Sequence, residues 1–385
     1  MSIFGSGHEV VTSLTRPATP LVGQMIYQTD TDEFLKYVSY GGANRWMQAV
    51  PKPNRNLIIN GDFGVAQRST GSVALTNTAA YCGVDRWMSF QVGTPQSTQQ
   101  QVTTALPTQA TNGVSFKSGV RIGRNVGSTN TAYITLFTAM ETVDCVKAQG
   151  KKVTLSFWMK GGAGLNLSGN SVSVVVNSGT GTDQSNSSQM SWTGRTGVIQ
   201  TSAVVSSSWQ YFTYTGTVPA SATQLGVYVY PLTFGAAAAI ADDNVYFTGM
   251  QLEIGSAPSE FEFEPFETTL RKCMRYYNRI TSAAGGAYIC VGSAYATGAA
   301  VFPLFLPVPL RVPNTLFEYS ALSDFRIGTA TLSALTPTVL AAPTGQGNIS
   351  APVMNAATSA SLVAGNAPLM YFSSGTGYLG FGAEL

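Results

Sequence analysis

Asn56-Leu-Ile-Ile-Asn-Gly-Asp-Phe63, Val84-Asp-Arg-Trp87, Val153-Thr-Leu-Ser-Phe-Trp158 and Gln251-Leu-Glu-Ile-Gly255 follow one another along the chain, and their reading decides the fold. Each is a short phrase rich in aliphatic or aromatic residues. Ala132-Tyr-Ile-Thr-Leu-Phe137, Ser171-Val-Ser-Val-Val-Val176 and Trp209-Gln-Tyr-Phe-Thr-Tyr214 have the same character, and Gly161-Gly162, Ser178 to Ser188 and Ser206-Ser207-Ser208 punctuate them. Strands separated by turn residues, with no helical pattern between them, predict a jelly-roll β-sandwich over residues 55–267.

On either side the pattern changes. Leu14-Thr-Arg-Pro-Ala-Thr-Pro20 is held extended by its prolines, Gly23 to Asp30 and Phe34 to Tyr40 alternate as strands, and a third strand carries Trp46. So small a sheet, over residues 1–54, cannot bury enough surface to stand alone and predicts docking on a partner. Pro51-Lys-Pro53 reads as a stiff linker. Thr268 to Ile280 predicts one short connecting helix, capped by Thr268, with Leu270, Cys273, Met274 and Tyr277 on one face. Residues 281–385 predict a third, β-sandwich-like unit. Its Pro303, Pro307, Pro309 and Pro313 have no amide hydrogen to donate, which places that stretch on an edge or between strands. The fold class expected is therefore all-β.

The order of these phrases is similar to that in bacteriophage tail fibres and receptor-binding proteins with a carbohydrate-binding-module-like jelly roll. Gly23-Gln-Met-Ile-Tyr-Gln-Thr-Asp30 with Trp46 resembles a hairpin module near the start of such fibres. Cys273-Met-Arg-Tyr-Tyr277, the apolar Val301 to Pro309 and the terminal Ala383-Glu-Leu385 resemble their distal domains. The resemblance implies a homotrimeric, non-enzymatic virion protein made in the host cytoplasm. Residues 1–54 would hold other virion proteins, and the distal domain would bind a host polysaccharide or lipopolysaccharide. Head fibres and capsid decoration proteins use the same modules. A polysaccharide-depolymerising tailspike is the enzymatic alternative, although the repeats of a parallel β-helix are not visible.

Composition agrees with a surface solvated by hydroxyls and backbone. Charged residues make up 10% of 385, the net charge is +2, and there are 40 glycines. Without a Lys/Arg run, nucleic acid is not an expected partner. No apolar run approaches the ~20 residues of a membrane helix, so membrane insertion is not expected. The start Met1 to Gly7 lacks the basic and apolar regions of a signal peptide, giving the expectation of a soluble protein not exported by a leader of its own. Cys82, Cys145, Cys273 and Cys290 have no paired spacing and read as free thiols.

Chemistry-bearing residues are few. The only histidine, His8, is remote from the β units, which leaves a triad mechanism without its base. Carboxylates that could serve a glycosidase are Asp62, Asp85, Glu267, Asp242, Asp243, Glu260, Glu262 and Glu264. The last three alternate with Phe261 and Phe263, the pattern of a solvated strand face. Asn60 and Asp62 are calcium candidates by analogy with related carbohydrate-binding jelly rolls, and otherwise fix a local turn. No cofactor is expected. A sugar presents a C–H face that stacks on aromatic rings. The ligand-binding candidates are accordingly Trp192, after a polar loop, and Tyr288, Tyr295, Tyr319, Tyr371 and Tyr378 in the distal unit.

Overall fold

The computed structural model describes residues 3–4, 8–50, 53–231, 233–328, 334–343, 347–359 and 362–385, the first two stretches as backbone only up to His8. The expected linker residues Pro51 and Lys52, and the His8 side chain, lie outside the described residues. The chain divides into two compact units, Met1–Phe266 and Glu267–Glu384, with Leu385 assigned to the first.

The first unit is built on two six-stranded antiparallel sheets. One has the order Gln210–Thr217, Lys152–Gly161, Asn244–Ile254, Gly119–Arg124, Ser97–Val102, Val73–Ala74; the other has Thr196–Val204, Ser171–Gly179, Gln224–Pro231, Leu136–Ala139, Met88–Ser89, Ala80–Tyr81. The two-residue period of a strand sorts each sequence between faces. Val153, Leu155, Phe157 and Met159 point inward with Val120, Ile122, Val245 and Phe247, and meet Val172, Val174, Val176, Val227 and Val229 of the opposite sheet in one core. This is the jelly-roll sandwich expected.

Asn60 organises its entry. The residue takes a left-handed φ of 60°, its amide donates to the carbonyls of Val65 and Asp85 at 2.9 Å, its Oδ1 accepts from Val65 N, and its carbonyl accepts from the Trp87 indole at 3.0 Å. A short polar side chain thereby ties two of the four signature phrases together around a fully buried indole.

The N-terminal sheet has five strands rather than three: Ile3–Phe4, His8–Val11, Met25–Gln28, Glu33–Tyr40 and Ala43–Gln48, with the second and third parallel. Its need for burial is met by the jelly roll itself. The other side of the Lys152–Gly161 strand carries Trp158, which faces away from the core and would be wet on an isolated sandwich. Tyr40 and Met47 cover it together with Tyr211. Glu33 accepts from Ser256 N at 3.0 Å, Arg16 donates to Ser256 Oγ at 3.0 Å, and Gln48 N donates to Pro258 O at 2.8 Å.

Three further expectations need correction. The connecting helix spans Phe266–Met274, so Thr268 lies inside it instead of capping it, and Tyr277–Thr281 is a strand paired with Tyr378–Gly382. A ladder to a distant partner outweighs local helical periodicity there. Glu260 to Glu264 forms no strand, because side chains take its backbone groups: Glu262 N donates to Gln251 Oε1 at 2.9 Å and Arg55 to Glu260 O at 2.6 Å. Pro303 ends the strand Ala299–Pro303, which is internal to its sheet. The neighbour Ser293–Ala296 stops pairing at Val301, so no donor is missed at Pro303.

The second unit holds three small antiparallel sheets around Phe302, Leu310, Phe325, Ile327, Met354, Met370, Phe372, Leu379 and Phe381. The four cysteines form no disulfide, and burial pushes the thiols of Cys82 up to about 11 and of Cys145 and Cys290 up to about 12. Among the described residues no helix is long and apolar enough to cross a membrane.

Candidate functional site

The second unit brings two of the candidate tyrosines together. Tyr288 on Tyr288–Val291 lies directly across from Tyr371 on Leu369–Phe372, whose other neighbour at that position is Arg326 on Phe325–Gly328. Their ring centroids are 5.9 Å apart at 59°. Tyr288 is 75% exposed, while the inward residues Met370 and Phe372 on either side of Tyr371 are buried. The period of two therefore leaves Arg326, Tyr371 and Tyr288 as one outward row. Arg326 is fixed by donating to Ser323 O at 2.9 Å and Phe325 O at 2.8 Å.

The other candidates are dispersed. Tyr295, 61% exposed, stands on the strand Ser293–Ala296 of a different sheet. Tyr319 packs against Phe317 and Phe325, and Tyr378 lies under the Arg279 guanidinium at 3.7 Å. Trp192 is not a surface residue. At 3% exposure its indole donates to Ser185 O at 3.0 Å, because the polar loop folds back as a cap. In that cap Gln189 is buried and donates to Thr138 O at 2.8 Å.

Three of the candidate carboxylates are committed to structural bonds. Asp243 is buried against Arg124, whose Nε and Nη2 both lie 2.7 Å from its Oδ2. Glu262 accepts from Asn54 N at 2.6 Å and Asn56 N at 2.9 Å. Asp242 accepts from Tyr246 Oη, from Asn244 Nδ2 at 3.0 Å and from Ala163 N at 2.9 Å. Burial works to raise the Asp242 carboxyl, but those hydrogen bonds, with the Lys160 charge, outweigh it and hold it below the ordinary carboxylate range. Its left-handed φ of 62° sits against Gly162, where a Cβ would approach the Asp242 carbonyl to 2.1 Å, so only glycine fits.

At the calcium candidates, Asn60 Oδ1 is occupied by Val65 N. Asp62 Oδ1 accepts from Gly64 N at 3.2 Å, and burial raises its carboxyl above the ordinary range despite that bond. Among the described residues no group of three or more His, Cys, Asp or Glu is arranged to hold a metal ion.

Sequence reasoning missed a polar groove on the outer face of the first jelly-roll sheet, lined by Gln100, Arg121, Lys160 and Tyr246. The available signal was one outward polar or aromatic residue within each of several apolar strands, as in Val120-Arg121-Ile122 and Val245-Tyr246-Phe247. Nothing local shows that these align.

No family model matches the sequence, and no curated protein matches it. Among solved structures, the chain is similar to the enzymatically active domain of tailspike protein 4 of bacteriophage CBA120, at 13% identity and a TM-score of 0.34 over 54% of this chain and 22% of that one. A second is the CBM22-1-GH10 pair of Clostridium thermocellum xylanase 10B in complex with xylohexaose, at 12% identity, TM-score 0.28, 53% of this chain and 29% of that one. A third is TmCBM61 in complex with β-1,4-galactotriose, at 11% identity, TM-score 0.30, 52% of this chain and 100% of that one. The chain thus spans under a third of the length of the first two. Likenesses this distant carry no argument about function, and the jelly-roll assignment rests on the two-sheet topology and shared core.

Proposed function

We propose that this chain is a virion fibre protein that joins the particle through its N-terminal region and binds a host-surface glycan through residues 281–385 without cleaving it. The outward pair Tyr288 and Tyr371 carries this reading. Two rings held on adjacent strands offer an apolar platform for the C–H face of a sugar, with Arg326 beside them to meet a hydroxyl. The commitment of Asp242, Asp243 and Glu262 to structural bonds supports a binding rather than a hydrolytic role. Exchange of residues 281–385 between two fibres of different host range tests it. Host range should travel with that segment, and host range that stays with residues 55–267 would refute the assignment.

A further inference from the structure

We propose that the outer face of the first jelly-roll sheet is a second binding site, a groove for a linear glycan carrying anionic groups. Gln100, Arg121, Tyr246 and Lys160 stand in one cross-strand row, since Arg121 pairs with Gln100 and with Tyr246, and Tyr246 pairs with Lys160. Four strands at the usual spacing make this row roughly 14 Å long. It floors a cavity of about 520 Å³. Lys160 also lines an adjoining cavity of about 440 Å³ that continues past Trp209 to the Gly41-Gly42 turn of the N-terminal sheet. The N-terminal sheet covers Trp158 and Tyr211 and leaves this part of the face open.

The two cations in the groove are held in place and outnumber the carboxylate that lines it. Arg121 donates to Gln100 Oε1 at 3.0 Å and Asn244 Oδ1 at 2.8 Å, both neutral acceptors. The Lys160 ammonium lies 4.9 Å from the Tyr246 ring centroid and 5.5 Å from that of Trp209, and among the described residues it has neither a hydrogen bond nor an ion pair within 4.0 Å. Asp242 is the one carboxylate lining the larger cavity, and both its oxygens are occupied by Tyr246, Asn244 and Ala163. An anion entering the groove meets two cations against a single carboxylate, Asp242, which acts on Lys160 through space and is held by its own hydrogen bonds. Thr103 and Thr104 add exposed hydroxyls, and Trp209, fixed by its indole bond to Ala105 O at 2.8 Å, adds a ring at one end. Two cations against one carboxylate suit a sparsely charged glycan. A nucleic acid would require many phosphate contacts.

Calorimetric titration of the full chain with a short oligogalacturonate, its neutral galactose counterpart, a sulfated oligosaccharide and an oligothymidylate tests the site. The uronate or the sulfated oligomer should bind, with affinity falling steeply between about 0.1 and about 1 M NaCl as the screening length drops from about 10 to about 3 Å. Lys160→Met, which keeps the aliphatic stem against the rings, should weaken binding about tenfold or more, as expected for one lost charge-assisted contact. Tyr288→Ala with Tyr371→Ala should leave it unchanged, which separates this groove from the distal platform. Salt dependence of the unaltered chain gives a reading that needs no variant to fold. Failure of both anionic oligomers to bind, equal binding of the neutral oligomer by the chain carrying Tyr288→Ala with Tyr371→Ala, indifference to Lys160→Met, or equal binding of oligothymidylate would overturn the proposal.

Discussion

Replacing Asp243 by Asn should cost the first unit a large share of its stability. Both partners of the Arg124–Asp243 pair have fully buried side chains. Asp243 Oδ1 accepts from Asn166 N at 2.9 Å, Arg124 Nη1 donates to the carbonyls of Asn130 at 3.1 Å and Gly235 at 3.0 Å, and the guanidinium lies 4.9 Å from the Phe234 ring centroid. Asparagine preserves the shape and removes the counter-charge. The guanidinium is then left uncompensated in the interior, a loss of about 3–5 kcal/mol against a typical domain stability of about 5–15 kcal/mol. With a urea slope of about 2 kcal/mol/M, the unfolding midpoint should fall by about 1.5–2.5 M. Tryptophan fluorescence reports this transition, since Trp87 and Trp158 are buried in the same unit. Arg124→Met combined with Asp243→Leu should cost less than the sum of the single changes, because neither charge is then stranded. A midpoint shift under about 0.5 M for Asp243→Asn, or strict additivity in the double variant, would refute the buried-pair reasoning. The same pair braces the strand start from which Asn244 and Tyr246 project into the groove.

Deleting residues 1–54 should leave a folded β protein that no longer joins the particle. It should also melt at lower temperature and bind more hydrophobic dye, because Trp158 and Tyr211 lose the cover of Tyr40 and Met47; each large side chain uncovered costs about 1.5–3 kcal/mol. Unchanged dye binding, or normal incorporation into particles, would count against it. Asp62 has a carboxyl raised by burial, so it disfavours the folded state above its unfolded value near 4 and increasingly as pH rises through the raised folded value. Asp62→Asn should therefore be more stable than the native chain at neutral pH and equal to it below about pH 4, which thermal melts across pH will show. Light scattering should give three times the 40.6 kDa chain mass, with a monomer mass at micromolar concentration as the contrary result.

The jelly roll was legible because its signal is local. The alternation of Val153, Leu155 and Phe157 against Thr154 and Ser156 sorts residues between faces without any partner in view. Trp158 shows where that logic ends. It falls on the outward face of its strand and is buried only because a sheet built by residues 3–48 covers it. Tyr277 to Ile280 continued a helical pattern and became a strand because its partner lies about a hundred residues away. The polar loop before Trp192 read as a surface feature, yet buried amides turned it into a cap. Of the distal tyrosines, alternation could place Tyr288 and Tyr371 outward, but their adjacency depends on register between distant strands. The row through Gln100, Arg121, Tyr246 and Lys160 was invisible for the same reason.

The most direct test of the central claim is binding of the purified full chain to a panel of surface glycans at low and high salt, repeated with Tyr288→Ala and Tyr371→Ala combined. The account predicts a neutral glycan retained at high salt by the native chain, released unmodified, and lost about tenfold or more in the double variant as two stacking surfaces disappear. Retention by the double variant at native affinity, or cleavage of the bound glycan, would contradict it.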